Sequence, residues 1–176
     1  DYAAIQVFEL PTFEQVAEWH HNTTPMNQQV RILQQINKHI HDSIMEKDSS
    51  ATPQIFYSME NNTIGEAALL RVMDIGEENI MGMFLSEPIR KGHRRKFRRG
   101  FNTTAKHKID ACTKFKELIE NDKMKINSQL LISELKDFVA SGMSYSAKAG
   151  QHDDLVSACL LTVSYTHLRA HETSVD

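Results

Sequence analysis

Three groups of residues in this chain could do chemistry. The first is Asp153-Asp154 in "AGQHDDLVSACLL", Ala149 to Leu161, where adjacent carboxylates follow a glycine and a histidine and open an apolar helical pattern. Like charges at that spacing repel, so something has to compensate them. A helix N-terminus is one answer, because a carboxylate there complements the helix dipole by roughly 0.3–1 kcal/mol. One Asp suffices as a cap, and a cation with oxygen ligands would screen and orient both; His152 could assist by hydrogen bonding. Capping and metal binding both stay open from the local sequence. The second group is Glu60, in "FYSMENNTIG", at the end of a short apolar strand pattern. Strand ends are where α/β folds display functional groups, although a loop glutamate in isolation is just as readily a solvated one. If Glu60 met Asp153 and Asp154, three carboxylates could not all ionise without cations. Two divalent ions roughly 4 Å apart would then clamp the attacking and leaving oxygens of a phosphodiester.

The third group is basic. Arg90, Lys91, Arg94, Arg95, Lys96, Arg98 and Arg99 fall within ten positions that hold no acid, Lys106 and Lys108 extend the field, and Phe97 and Phe101 interleave. Such a block repels itself and is usually an interaction surface. Phosphate backbone suits it, since each arginine can fork onto a phosphate and affinity would fall steeply with salt. The helix that follows opens at Thr103-Thr104 and could offer amides to a phosphate. A net charge of −3 over 176 residues conceals this strip.

Other chemistries are excluded or weak. The chain holds no GxxxxGK[ST], no CxxC and no GxSxG, so a P-loop ATPase, a dithiol site and a serine-hydrolase elbow are absent from it. His167 and His171 stand four apart beside Glu172, a spacing that can bind zinc on a helix, but they fall in a stretch set aside below. His20, His21, His39 and His41 lack an obvious partner and read as surface histidines. Cys112 and Cys159 sit in apolar helical patterns and read as reduced packing residues. Met73, Met81 and Met83 read as core. No apolar run approaches the roughly 20 residues of a membrane span.

These groups need elements to position them. Residues 3–10 alternate like a strand, and 13–20 continue extended, giving neighbouring strands of a meander. Val30, Leu33, Ile36, Ile40 and Ile44 recur at helical spacing and predict a helix over 26–45, capped by Thr24 and Pro25. A strand is expected at 54–59, a helix at 66–73 and a strand at 80–85. A strong helix is expected over 103–121, with Ile109, Cys112, Phe115 and Ile119 on its buried face. Residues 130–139 read as helix, stopped by Ser141-Gly142, and Leu155 begins the last helix. Strands first, then strands alternating with helices, predict one α/β domain with a mixed sheet.

Taken in order, "DYAAIQVFEL", "IFYSMENNTIGEAALL", "RRGFNTTAKHK", "KFKELIENDKMKI" and "GMSYSAKAGQHDDLVSACLL" resemble the nuclease domain of the large terminase subunit of tailed bacteriophages, nearest the myovirus type. The resemblance implies an RNase H-like fold, a mixed central sheet flanked by helices, and two Mg²⁺ or Mn²⁺ ions. It implies cutting of concatemeric double-stranded viral DNA at the start and end of headful packaging. Glu60 matches the family's middle acid and Asp154, beside Asp153, its last. The family's first acid lies just upstream of a turn that Asp1-Tyr2 matches, so the first strand is expected to be truncated here. Asp1 is then at most an accessory ligand, and this fragment is expected to fold or cut poorly. ATP would serve only the motor domain that precedes such a nuclease. The portal and the small terminase subunit would be partners of the full-length protein, in the host cytoplasm and transiently at the prohead, with no membrane involved.

The segment "VSYTHLRAHET", Val163 to Thr173, resembles translated read-through of a sequencing adapter, as in a metagenomic fragment. The expected boundaries are therefore 1–162 for the nuclease domain and 163–176 for a non-native tail. Another RNase H-like nuclease, of resolvase or transposase type, would share the acids but not the order of "GFNTT" and "HDDLV". A non-catalytic DNA-binding module would keep the basic strip and need no acids.

Overall fold

A computed structural model gives the structure of the protein and describes residues 2–87 and 100–172, apart from the side chains of residues 63, 64 and 166–172. The elements follow in the order β1 (Ala3–Glu9), β2 (Glu14–His21), α1 (Met26–Lys47), β3 (Phe56–Tyr57), α2 (Thr63–Ile75), β4 (Met83–Phe84), α3 (Ala105–Glu120), α4 (Gln129–Asp137), β5 (Phe138–Ser141), β6 (Ser144–Ala147) and α5 (Asp154–Glu172). They form two compact units. Residues Asp1–Thr23 and Thr103–Asp176 make the first, and Thr24–Asn102 the second.

In place of one continuous mixed sheet, the described residues hold three separate two-stranded sheets, one in the second unit and two in the first. β1 and β2 are antiparallel, β3 and β4 parallel, and β5 and β6 antiparallel. The parallel pair is only two residues long, and pairing carries on from it as an isolated parallel bridge between Glu60 and Phe101. The sequence also hid the β5–β6 hairpin. "FVASGMSYSA" alternates over too few residues to compete with the helical signal before it, and Gly142 at φ +59°, which reads as a helix stop, is the hairpin turn.

In the first unit α5 packs on β1, α3 and α4. Its core is Phe13, Phe115, Leu131, Leu155, Val156, Cys159, Leu160 and Val163. Val163 is fully buried and Tyr165 nearly so, and α5 runs through both without a break. The buried stripe of α3 is rotated from the expected one. Ala111 and Phe115 face the core with Cys112 and Leu118 partly buried beside them, whereas Ile109 and Ile119 are exposed. Cys112 and Cys159 are free thiols, and burial pushes Cys112 up to about 11 and Cys159 further. Both are inert packing groups.

One buried polar residue ties this unit together. Gln15 is 4% exposed; its Nε2 donates to Gln6 Oε1 at 2.7 Å and Glu18 Oε2 at 3.2 Å, and its Oε1 accepts the Asn127 and Ser128 amides at 2.9 and 2.8 Å. Ser128 in turn caps α4 through Leu131 N–H. Replacing Gln15 with Leu strands those groups, each buried unsatisfied partner costing about 1–3 kcal/mol. The denaturation midpoint of Gln15→Leu is expected to fall well below that of an exposed control such as Glu9→Gln.

The core of the second unit is Val30, Tyr57, Val72 and Ile80. Buried Asn37 of α1 donates Nδ2–H to the Met81 carbonyl at 2.8 Å. Met73, Met81 and Met83, expected in the core, are exposed. Their neighbours Val72 and Ile80 take the inward positions.

Candidate active site

The last helix answers the question its first residues pose. α5 begins at Asp154, so Asp153 is its N-cap, and the Asp153 carbonyl accepts the first helical bond from Ser157 at 2.8 Å. A capping side chain would take the amides of the next two or three residues. Here those amides go elsewhere: Leu155 and Val156 N–H both donate to Glu134 Oε2, at 2.9 and 3.1 Å. A glutamate from α4 does the capping. Burial pushes the Glu134 carboxyl up, the two amide bonds offset part of that, and the charges of Asp154 and Asp153 push it further. Local capping, one of the two sequence readings of the Asp pair, thus falls to a residue twenty positions upstream, which no local pattern singles out.

The two aspartates face different surroundings. Asp153 Oδ2 lies 3.4 Å from Lys108 Nζ on α3 and accepts Ala147 N–H from the end of β6 at 3.3 Å. The Lys108 ammonium also stands 5.4 Å from the centre of the Phe138 ring, within cation–π range. Asp154 Oδ2 is 3.8 Å from His152 Nδ1. Across from it, His20 is no surface histidine. Its ring stacks on Tyr2 with centroids 4.3 Å apart, its Nε2 is 3.9 Å from Glu134 Oε1, and burial pushes its pKa down. Tyr2 meets His152 edge-on at 4.8 Å. The strand pattern that positions His20 was legible; its partners were not.

Glu60 belongs to the second unit and is described there. It extends the line of β3 through paired backbone, Phe101 N–H to Met59 O at 3.0 Å and Asn61 N–H to Phe101 O at 2.7 Å. Asn62 fixes it locally. The Asn62 side chain caps α2 by accepting Gly65 N–H at 2.7 Å, while its Nδ2 donates to Glu60 Oε2 at 2.9 Å. One amide therefore starts the helix and aims the carboxylate. Gly65 lies so close that a Cβ there would stand 1.7 Å from the Glu60 carbonyl oxygen. Gly65→Ala must push that backbone aside, and overpacking of this kind costs about 1–3 kcal/mol. Chemical denaturation of that variant is expected to show the loss, and Ala67→Gly, in the same helix but exposed, a smaller one.

Asp153, Asp154 and Lys108 are thus brought together within the first unit, and Glu60 is placed at a strand end in the second. Lys106 is exposed on the first turn of α3, where Thr104 Oγ1 accepts His107 N–H at 3.2 Å. Asp1 and the strip of Arg90, Lys91, Arg94, Arg95, Lys96, Arg98 and Arg99 lie outside the described residues, as do the side chains of His167 and His171. Among the described residues no three His, Cys, Asp or Glu side chains form a ready-made metal centre. Two adjacent carboxylates relieved of capping still fit a hard divalent ion, because Mg²⁺ is commonly held by one or two carboxylates while keeping several waters.

Five helices and short two-stranded sheets make up a mixed α/β chain, and comparison with known proteins identifies the fold as RNase H-like. The structure is similar to the crystal structure of the large terminase nuclease from thermophilic phage G20c with bound magnesium, with a TM-score of 0.60 and 18% identity over 93% of this chain and 74% of that one. It is equally similar to the cobalt-bound form of that nuclease, at 0.60 and 17% over the same shares. The sequence itself matches the family described as "Terminase RNaseH-like domain" over residues 1–165, and the chain belongs to that family. Among the described residues no helix is long and apolar enough to cross a membrane.

Proposed function

We propose that this domain is a metal-dependent endonuclease that hydrolyses phosphodiester bonds of double-stranded viral DNA during packaging, at initiation and at headful termination. The observation that carries the reading is the Asp153-Asp154 pair at the start of α5, released from capping by Glu134 in a chain of the terminase family. The similar nuclease of phage G20c holds magnesium in one crystal structure and cobalt in another, which supports Mg²⁺ or Mn²⁺ here. Two bound ions would supply an activated water and stabilise the leaving 3′ oxygen.

The roles of the chain's own residues follow from chemistry. Glu60 and Asp154 serve as ionised ligands, with Asp153 beside them and Asp1 as an accessory. Asn62 keeps the Glu60 carboxylate oriented, and Glu134 holds the turn of α5 that presents Asp154. The strip from Arg90 to Arg99, with Lys106, holds phosphate backbone. Such contacts position a duplex without reading its bases, so weak sequence preference is expected. The portal and the small terminase subunit are the proposed partners of the full-length protein, whose ATP-driven motor would feed DNA to this domain at the prohead in the host cytoplasm.

Metal titration tests the reading against a plain DNA-binding module. Mn²⁺ affinity that depends on both Glu60 and Asp154 is expected; affinity indifferent to both would favour the module. The DNA path has its own test. Arg95, Arg98 and Arg99 changed together to Ala should weaken DNA binding and reduce the salt slope by up to about three, near one per lost phosphate contact. An unchanged slope would move the path elsewhere.

A further inference from the structure

Lys108 continues the basic strip in sequence, yet its ammonium is turned onto a carboxylate. Among the described residues it is the only lysine or arginine paired with either aspartate; the other neighbour, His152, is charged only when protonated. We propose that Lys108 is the resident counter-cation of Asp153, and that a divalent ion binds the Asp153-Asp154 pair in competition with it. The inference rests on the metal-binding reading above and assigns what regulates that site.

Three observations carry it. Two adjacent carboxylates at one helix start, with a third carboxylate, Glu134, bonded to the same turn, accumulate negative charge that needs a counter-charge when no metal is bound. Lys108 supplies one from α3, a different element, with its side chain mostly buried. The contact is loose. Lys108 Nζ and Ala147 N approach Asp153 Oδ2 at 3.4 and 3.3 Å, longer than the 2.7–2.9 Å of a strong charge-assisted bond. An ammonium held at that length yields to a doubly charged ion. The Phe138 ring, 5.4 Å away, gives the ammonium a second hold, so displacing it from Asp153 need not send it into water. Among the described residues no lysine or arginine pairs with Asp154, which would be the ligand available throughout.

The prediction has a sign that other roles for Lys108 do not share. Mn²⁺ is titrated by calorimetry into the 176-residue chain without DNA. Lys108→Met and Lys108→Gln are expected to bind Mn²⁺ at least about five-fold more tightly than wild type, the effect of removing one unit charge some 4 Å away in a watery site. Lys108→Arg, which keeps the charge, should stay near wild type. The gain should disappear when Asp153 is already Asn, because coupled neighbours are non-additive. Unchanged affinity in Lys108→Met and Lys108→Gln, with a flattened DNA salt slope, would make Lys108 a phosphate contact and overturn the proposal. Weaker affinity would make it a purely structural support and overturn it too, as would an equal gain in the Asp153→Asn background. Wild-type affinity in Asp154→Asn, or no Mn²⁺ binding by any variant, would remove the metal site itself and the proposed function with it.

Discussion

Asp154→Asn and Glu60→Gln, each made in a cleavage-competent form of the protein, are expected to lose DNA cutting by at least about 100-fold, the scale seen when one preorganised electrostatic group is removed from an active site. Both changes keep side-chain size and remove one charge. The Asp154 carboxylate approaches His152, and the capping amides of α5 go to Glu134 instead, so an amide at position 154 leaves the core of the first unit intact. Gln at position 60 can still meet the Asn62 amide, which donates to Oε2 at 2.9 Å. DNA binding, which the proposed function assigns to basic residues remote in sequence, should change little. A cleavage assay beside a binding titration separates the two. If either variant cut at the parental rate, that residue would have no part in the chemistry.

Glu134→Ala is expected to have the next largest effect, and the contrast with Glu134→Gln gives it meaning. Ala leaves the Leu155 and Val156 amides without their acceptor, and loss of a cap costs about 0.5–2 kcal/mol. It also loosens the turn that carries both aspartates, so cutting should fall along with stability. Gln retains an acceptor oxygen and sheds the charge. Burial raises the folded carboxyl of Glu134, so the folded state holds its proton more tightly than the unfolded chain does. Stability from this group is fully present below the unfolded value, about 4.3, and is lost as pH rises through the folded one. Wild type and Glu134→Gln should therefore unfold alike near pH 4, with Gln the more stable at pH 7. Urea midpoints at the two pH values check this; a gap that closes with rising pH would reverse the assignment.

The candidate acids could be singled out in the sequence because each sits where a periodic pattern ends. Glu60 closes an apolar strand run and Asp153-Asp154 open an apolar helix, and both signals are local. The groups that hold them were not legible. Glu134 is one polar residue on an amphipathic helix, and only the packing of α4 against α5 gives it two amides to accept. His20 alternates correctly along β2 but owes its burial to Tyr2 and Glu134. Lys108 read as part of a basic field because charge alone cannot show which way an ammonium turns. The strands were over-called in length for a related reason: residues 54–59 and 80–85 are apolar and β-branched enough for strands, yet only Phe56–Tyr57 and Met83–Phe84 pair as one. The helices at 26–45 and 103–121 were read within two residues at each end, since long periodic runs average out local ambiguity.

The first unit is assembled from two stretches of chain that flank the second. Phe13 cannot reach Leu131 and Leu155, nor Gln15 the amides of Asn127 and Ser128, until those distant residues exist. At about 5–20 residues per second on the ribosome, the opening hairpin waits several seconds or longer with its inward side uncovered, while Thr24–Asn102 can already collapse on itself. Synthesis order thus leaves the β1–β2 hairpin, of all the elements of this domain, waiting longest for its partners and open to aggregation and chaperone capture, and slowing elongation beyond residue 103 should lower soluble yield more than slowing it before residue 24.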